Sequence, residues 1–172
     1  IPRMNKGDML AQIAAVKRGG ERLAALAEKY GAEAVISHML QWQQDSTDMV
    51  TRVVSDLPDG RYEWEDFIDQ DPGSEDKHPV KVKMATVIAG NKLTLDFSGT
   101  DPTSIGCMNA SFAVTQGACM VGLKCLFPLP FNYGTMRAID IIAPEHTVVN
   151  ASLPANVQGH SICVFEKIVA CI

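Results

Sequence analysis

Long uninterrupted apolar runs are missing from this sequence. Nowhere do apolar residues continue for the roughly 18 positions that a membrane-crossing helix needs, so a membrane span is not expected. Basic charge is also scarce: 15 Lys and Arg stand against 20 Asp and Glu, a formal net charge of -5. That balance disfavours nucleic acid as the main partner, since phosphate binding needs a basic surface. None of the five cysteines forms a CxxC pair, and the four histidines make no HxxH, HxxxH or His-x-Cys pattern. A self-contained zinc site therefore has no ligand set. Walker A and GxGxxG motifs are both absent, which leaves nucleotide binding without a signature. The opening "IPRMNKGDML" does not follow the basic-then-apolar order of a secretory leader.

What is present is a globular composition, 47% hydrophobic and 20% charged over 172 residues. That length suits one ordinary domain or two small ones with a substantial core. Cys107, Cys119, Cys125, Cys163 and Cys171 lie among apolar neighbours and read as buried thiols of a reducing cytoplasm. Cys107, in a turn beside Gly106, has a nucleophilic alternative, with no base next to it in sequence. The chain opens at Ile1 without an initiator Met and stops within the apolar, helix-spaced run "FEKIVACI". The expectation is a section of a longer polypeptide.

Periodicity divides the chain into two segments. In residues 1–58, Leu10, Ile13, Ala14, Val16, Leu23, Leu26 and Tyr30 fit one helix face. Val35, Met39, Trp42, Ser46, Met49, Val53 and Leu57 repeat nearly every 3.5 residues in a second helix. Gly31 separates the two, which predicts an antiparallel helical hairpin, and "LPDG" ends it. Residues 59–172 switch to period two. "RYEWEDFID", "PVKVKMATV" and "KLTLDF" alternate apolar with charged residues, and Gly90-Asn91 supplies a two-residue hairpin turn. "DQDPGSEDKHP" reads as a mobile polar loop. From Pro102 to Met136 the single charged side chain is Lys124, so the run from Asn109 to Phe127 predicts an enclosed helix. "PLPFNYGTMR" reads as a loop, "AIDIIA" and "TVVN" as short strands. The predicted class is α+β: an N-terminal helical hairpin, then antiparallel strands packed on a buried helix, both parts of a larger domain.

Candidate chemistry clusters around "LDFSGTDPTSIGCMNASF", residues 95–112. Asp96 and Ser98 share one strand face, and Gly99 permits a sharp turn or a close ligand. The functional reading is a polar wall whose carboxylate orients substrate; the bland one is a solvent-facing strand end with an Asx turn. Asn109 reads as a cap on the buried helix, alone or together with ligand contact at amides that attract anions. In "FNYGTMR", Asn132 and Gly134 read as turn residues. Arg137 suits either bidentate carboxylate or phosphate binding or a salt bridge. His160, beside Gly159, faces a cavity in one reading and enters a helix in the other.

"DMLAQIAAVKRGGERLAALAEKYG", "LPDGRYEWEDFID", "LTLDFSGTDPTSIGCMNASFAVT", "PFNYGTMRAIDIIAPEHTVVNASLPANV" and "QGHSICVFEKIV" occur in that order. Together they resemble the hydantoinase B/oxoprolinase family across nearly the whole chain, most specifically over 95–157. The resemblance implies an internal section of a cytoplasmic, ATP-dependent cyclic amide hydrolase of the hydantoin or oxoproline type. Related ATP-dependent ketone carboxylases, and a non-catalytic scaffold section, are the alternatives. It also implies a hydantoinase A-type partner subunit or domain that carries the ATP step, and any divalent metal held outside this section. Carried over residue by residue, the catalytic candidates are Asp96 and Asn109. Those for substrate binding are Ser98, Gly99, Gly106, Asn132 and Arg137, and none falls to a metal. His146, where the family pattern commonly has Gly, and "GCMNAS" depart from that pattern. Tyr62, Trp64 and the apolar segment 109–127 need covering, which predicts self-association of such a section.

Overall fold

The computed structural model describes residues 2–75, 78–161 and 163–172. It divides into two compact units, Ile1–Trp42 and Gln43–Ile172. Helix α1 spans Pro2–Tyr30 and α2 spans Ala32–Ser55. In the first unit Gly31 alone separates them, at φ +87, where a side chain would be strained. Its N–H closes on Ala27 O at 2.9 Å, while its carbonyl accepts from Val35 N at 3.1 Å. This single residue both ends one helix and starts the next, in the left-handed conformation typical of a helix C-cap. The two helices expected from the sequence are present and meet at Gly31, with no described residue of α1 buried.

The second unit is built on a four-stranded sheet in the order β1-β2-β3-β4. Strand β1 is Gly60–Ile68, β2 Val80–Ala89, β3 Lys92–Asp96 and β4 Ile139–Ile142. The first three strands are antiparallel, with β2 and β3 turning at Gly90-Asn91. Strand β4 instead pairs parallel to β3, Leu93 with Ile139 through Asp96 with Ile142. Parallel pairing requires a crossover, supplied here by α3 (Phe112–Leu126) and the short α4 (Tyr133–Arg137), where the sequence predicts only a loop. "TVVN" contributes isolated bridges at Thr147 and Asn150 rather than a strand.

Period two sorts the sheet into a dry face and a wet one. Val82, Met84, Leu93, Leu95 and Ile139 join one buried cluster with Val50 and Val54 of α2, Ala118, Cys119 and Leu123 of α3, and Val164 and Ile168 of α5 (Val164–Cys171). Each fully buried aliphatic side chain of this kind contributes about 1.5–3 kcal/mol. Helix α3 is buried along one side only; Phe112, Lys124, Cys125 and Leu126 stay exposed, so it is not the enclosed helix that its composition predicts. Cys125 is thus an exposed thiol. Cys119 and Cys171 are buried, and burial pushes their pKa values up to about 12 and about 11.

Close packing joins α2 to α4. Gly134 sits so near the backbone of Gln43 that a Cβ has no room, and Thr47 Oγ1 donates to Gly134 O at 2.8 Å. Gly117, in the middle of α3, has nothing within 4 Å of an added Cβ. The two glycines therefore predict opposite outcomes in chemical denaturation. Gly134→Ala should destabilise by about 1–3 kcal/mol or more through overpacking, while Gly117→Ala should stabilise by roughly 0.5–1 kcal/mol through helix propensity.

Candidate functional site at the end of strand β3

Strand β3 ends in a turn set by its own side chains. Phe97 N–H extends the ladder to Ile142 O at 2.8 Å, after which Asp96 Oδ1 accepts from Ser98 N at 2.9 Å. Gly99 takes φ +90, and Thr100 N–H closes the turn on Phe97 O at 3.1 Å. The chain then returns to the edge of β2. Thr100 Oγ1 donates to Lys83 O at 2.9 Å and accepts from Lys83 N at 3.0 Å, and Asp101 Oδ2 accepts from Lys81 N at 2.8 Å. "DFSGTD" thus encodes a bulge that lifts Ser98 and Gly99 out of the sheet.

Asp96 shares the wet face with a small charge network. Arg61 and Lys83 bridge Glu63 at 2.8 and 3.0 Å, and Arg61 lies 3.9 Å from Asp96 Oδ2. The hydrogen bond from Lys83, followed by that from Arg61, holds Glu63 below the usual carboxylate range. Leu93 and Leu95 project from the opposite face, into an apolar cavity of about 680 Å³ shared with Leu123 of α3 and with Trp64. Strand β3 and α3 thus line one cavity, but period two turns Asp96, the carboxylate of the polar wall read from the sequence, away from it.

Gly106 and Asn109 belong to a second cluster, organised by a residue the sequence reading missed. Asp71 is buried. Its carboxylate accepts from the Ser104 hydroxyl, from Gly73 N at 3.0 Å, Cys107 N at 3.1 Å and Met108 N at 3.3 Å. Gly106 packs directly on this carboxylate, leaving no space for a Cβ. Burial alone would raise the pKa of Asp71; the four donors outweigh it, Ser104 foremost, and lower it. "DPGSEDKHP" is therefore anchored at Asp71, and the signal available in sequence was Asp-Pro-Gly, an Asx-turn pattern. Asp76 and Lys77 of that loop lie outside the described residues.

Asn109 is fully buried, but it is not the cap of α3. That position is Ser111, which makes no side-chain cap bond. Asn109 Oδ1 accepts from Ser104 N at 2.7 Å, and Nδ2 donates to Ser104 O at 3.0 Å and Asn156 O at 2.9 Å. Its amide holds two loops together and turns inward. Asn132 caps α4 instead, accepting from Gly134 N at 2.8 Å and donating to Ser46 Oγ at 2.7 Å. Arg137 is exposed at the end of α4. The seven sequence-predicted residues thus fall in separate places: Asp96, Ser98 and Gly99 in one turn, Gly106 and Asn109 around Asp71, and Asn132 and Arg137 on α4. A polar hollow of about 240 Å³, lined by Asp71, Ser74, His78, Asp101 and Thr103, adjoins the Asp71 cluster. The side chain of His160 lies outside the described residues.

Among the described residues no three His, Cys, Asp or Glu side chains are placed to hold a metal ion. The loop leading into α3 offers no Lys or Arg to a nucleotide phosphate. No helix among the described residues is long and apolar enough to cross a membrane.

A mixed sheet with helices on its apolar face, and a charged turn at the end of β3, defines the class of this domain. The sequence model of the hydantoinase B/oxoprolinase family matches residues 1–172, and the chain belongs to that family. It is 30% identical over 165 residues to a chain named as the B component of a D-/L-hydantoinase from Pseudomonas sp. (strain NS671), covering 90% of this chain and 28% of that one. It is 28% identical over 174 residues to 5-oxoprolinase 1 of Arabidopsis thaliana, covering 95% of this chain and 14% of that one. Its fold matches the crystal structure of the ATP-dependent caprolactamase from Pseudomonas jessenii with a TM-score of 0.81 at 22% identity, over 97% of this chain and 29% of that one. The chain therefore spans less than a third of the length of these relatives.

The lowered pKa of Asp71 fixes a sign for pH dependence. With a folded value below the unfolded one of about 3.9, its contribution is complete above that unfolded value and is lost as pH falls through the folded value. Asp71→Asn should flatten the acid limb of the stability profile below about pH 4. Asp71→Ala should cost about 2–4 kcal/mol at neutral pH, because it strands buried donors. Urea unfolding from pH 2 to 7 measures both.

Proposed function

We propose that this chain supplies part of the B-type component of an ATP-dependent cyclic amide hydrolase of the hydantoin or oxoproline type. The family match over residues 1–172 carries this reading. The names of the relatives, a hydantoinase B component and a 5-oxoprolinase, support the substrate class. ATP binds on a hydantoinase A-type partner subunit or domain, where phosphorylation of the amide oxygen weakens its resonance and makes the carbonyl open to attack by water. Five free thiols suit a cytoplasmic assembly.

Within this chain Asp96 is the candidate for chemistry. One carboxylate oxygen is fixed by Ser98 N–H, while the other stands 3.9 Å from Arg61 and retains capacity to accept. A carboxylate held this way orients a water molecule or a ring N–H, with Ser98 and Gly99 as the adjoining rim. Gly106, Asn109 and Asn132 act as supports, each committed to contacts inside the chain. Arg137, exposed at the end of α4, offers its guanidinium to a substrate oxygen.

That commitment of Asn109 favours a second reading, in which residues 104–109 only scaffold the assembly. Two substitutions in the complete assembly separate the readings. Asp96→Asn should lower kcat by about 10²-fold or more with subunit association unchanged. Asn109→Ala should loosen loop 104–109 and impair folding before chemistry. Near-normal turnover by Asp96→Asn would remove it from the mechanism. Arg137→Lys and Arg137→Ala should cost tens- to several hundred-fold, about 2–4 kcal/mol; normal rates in both would leave Arg137 a surface residue.

A further inference from the structure

Helix α1 presents an apolar face that its own unit leaves largely open; only the far end, at Leu26 and Tyr30, shares a hollow with Val35, Met39 and Trp42 of α2. No described residue from 2 to 42 is buried. A helix of 29 residues with no buried side chain draws little from tertiary packing, which is the main source of helix stability in proteins. The residues of this face, all exposed except the half-buried Ala27, are not scattered. Met9, Ile13, Val16, Gly20, Leu23, Ala27 and Tyr30 follow the alternating four-three spacing of a coiled-coil seam. Met9 is 64% exposed, Val16 78% and Leu23 46%, with Leu10 and Leu26 widening the stripe. Between Met9 and Tyr30, Arg18, Glu21, Arg22, Glu28 and Lys29 fall on the far side, and Lys17 is the one charge that flanks the seam. Such spacing calls for another helix as the covering surface.

A second observation is independent of the stripe. The centre of the seam is Gly19-Gly20, where an added Cβ would meet nothing within 4 Å. Two consecutive glycines cost an exposed helix about 1 kcal/mol each, and no contact inside this chain requires them. They are accounted for by a second backbone crossing closely at that point. Because the seam extends equally to both sides of the glycines, the same face serves both members of a two-fold pair. Antiparallel order also brings the basic first turn, with Arg3 and Lys6, to the carbonyl end of the other helix. Seven large side chains at on the order of 100 Å² each approach the roughly 800 Å² per partner of a stable interface.

We propose that α1 is a homodimerisation helix. Two copies of this chain cross antiparallel at Gly19-Gly20 and bury the Met9–Tyr30 seam. Sedimentation velocity and light scattering of the 172-residue chain test this directly. The expected result is a dimer at about 100 µM, dissociating on dilution, whose Kd rises at least about 100-fold in Val16→Asp and in Leu23→Asp. These side chains touch no core, so thermal unfolding of the second unit should not change. Gly20→Arg, which raises helix propensity while placing charge at the crossing, should also yield monomer, whereas Arg18→Glu on the far side should leave the dimer intact. A wild-type chain that stays monomeric at that concentration overturns the proposal. So does a dimer that survives both aspartate variants, because its contact then lies elsewhere.

Discussion

The carboxylate of Asp71 is the contact on which the loop architecture of the second unit depends. It is a buried charge that four hydrogen-bond donors hold in place. Stranding it would cost several kcal/mol, so every donor must stay in place. This requirement fixes the path of residues 104–108, and Gly106 follows from it because any side chain there would collide with the carboxylate. Asn109 extends the same order to Asn156, and Gly159 N–H closes on Cys107 O at 2.8 Å. Ala110 then clips the chain to Val148 and Ala151 before α3 begins. Three stretches far apart in sequence are thereby held at one junction.

The sheet divides its faces between two tasks. The apolar side joins the core and opens into a cavity bordered by Trp64 and Leu123. The other side carries Arg61, Glu63, Lys83 and Asp96 in a chain of ion pairs that remains in contact with water. Exposed pairs of this kind contribute little to stability. Their effect is to place fixed charges beside the turn at Ser98-Gly99, which belongs to the same side of the sheet.

Much of this was legible in the sequence because local chemistry and global fold agree. Alternation in "KVKMATV" and "KLTLDF", the Gly90-Asn91 turn and the "LPDG" stop each correspond to an element boundary. What was not legible has a common cause: partners distant in sequence. Asn109 resembles a cap locally, but its partners are Ser104 and Asn156. Asp71 reads as one more acid in a polar loop until residues 104–108 close over it. The helical repeats state which face is apolar and not what covers it. A single linking residue, Gly31, decides the path of the chain.

The parallel pairing of β4 with β3 has a consequence for how the domain assembles. Strands β1, β2 and β3 are neighbours in sequence, so their pairing closes only short loops. β4 reaches β3 only across the crossover through α3 and α4, and so distant a contact carries the entropy of a long loop. The N–H of Phe97 bonds to Ile142 and so belongs to that long-range contact. The turn that carries Asp96 is thus half made by a local meander and finished by a long-range one. Its geometry reports on whether the whole second unit has folded.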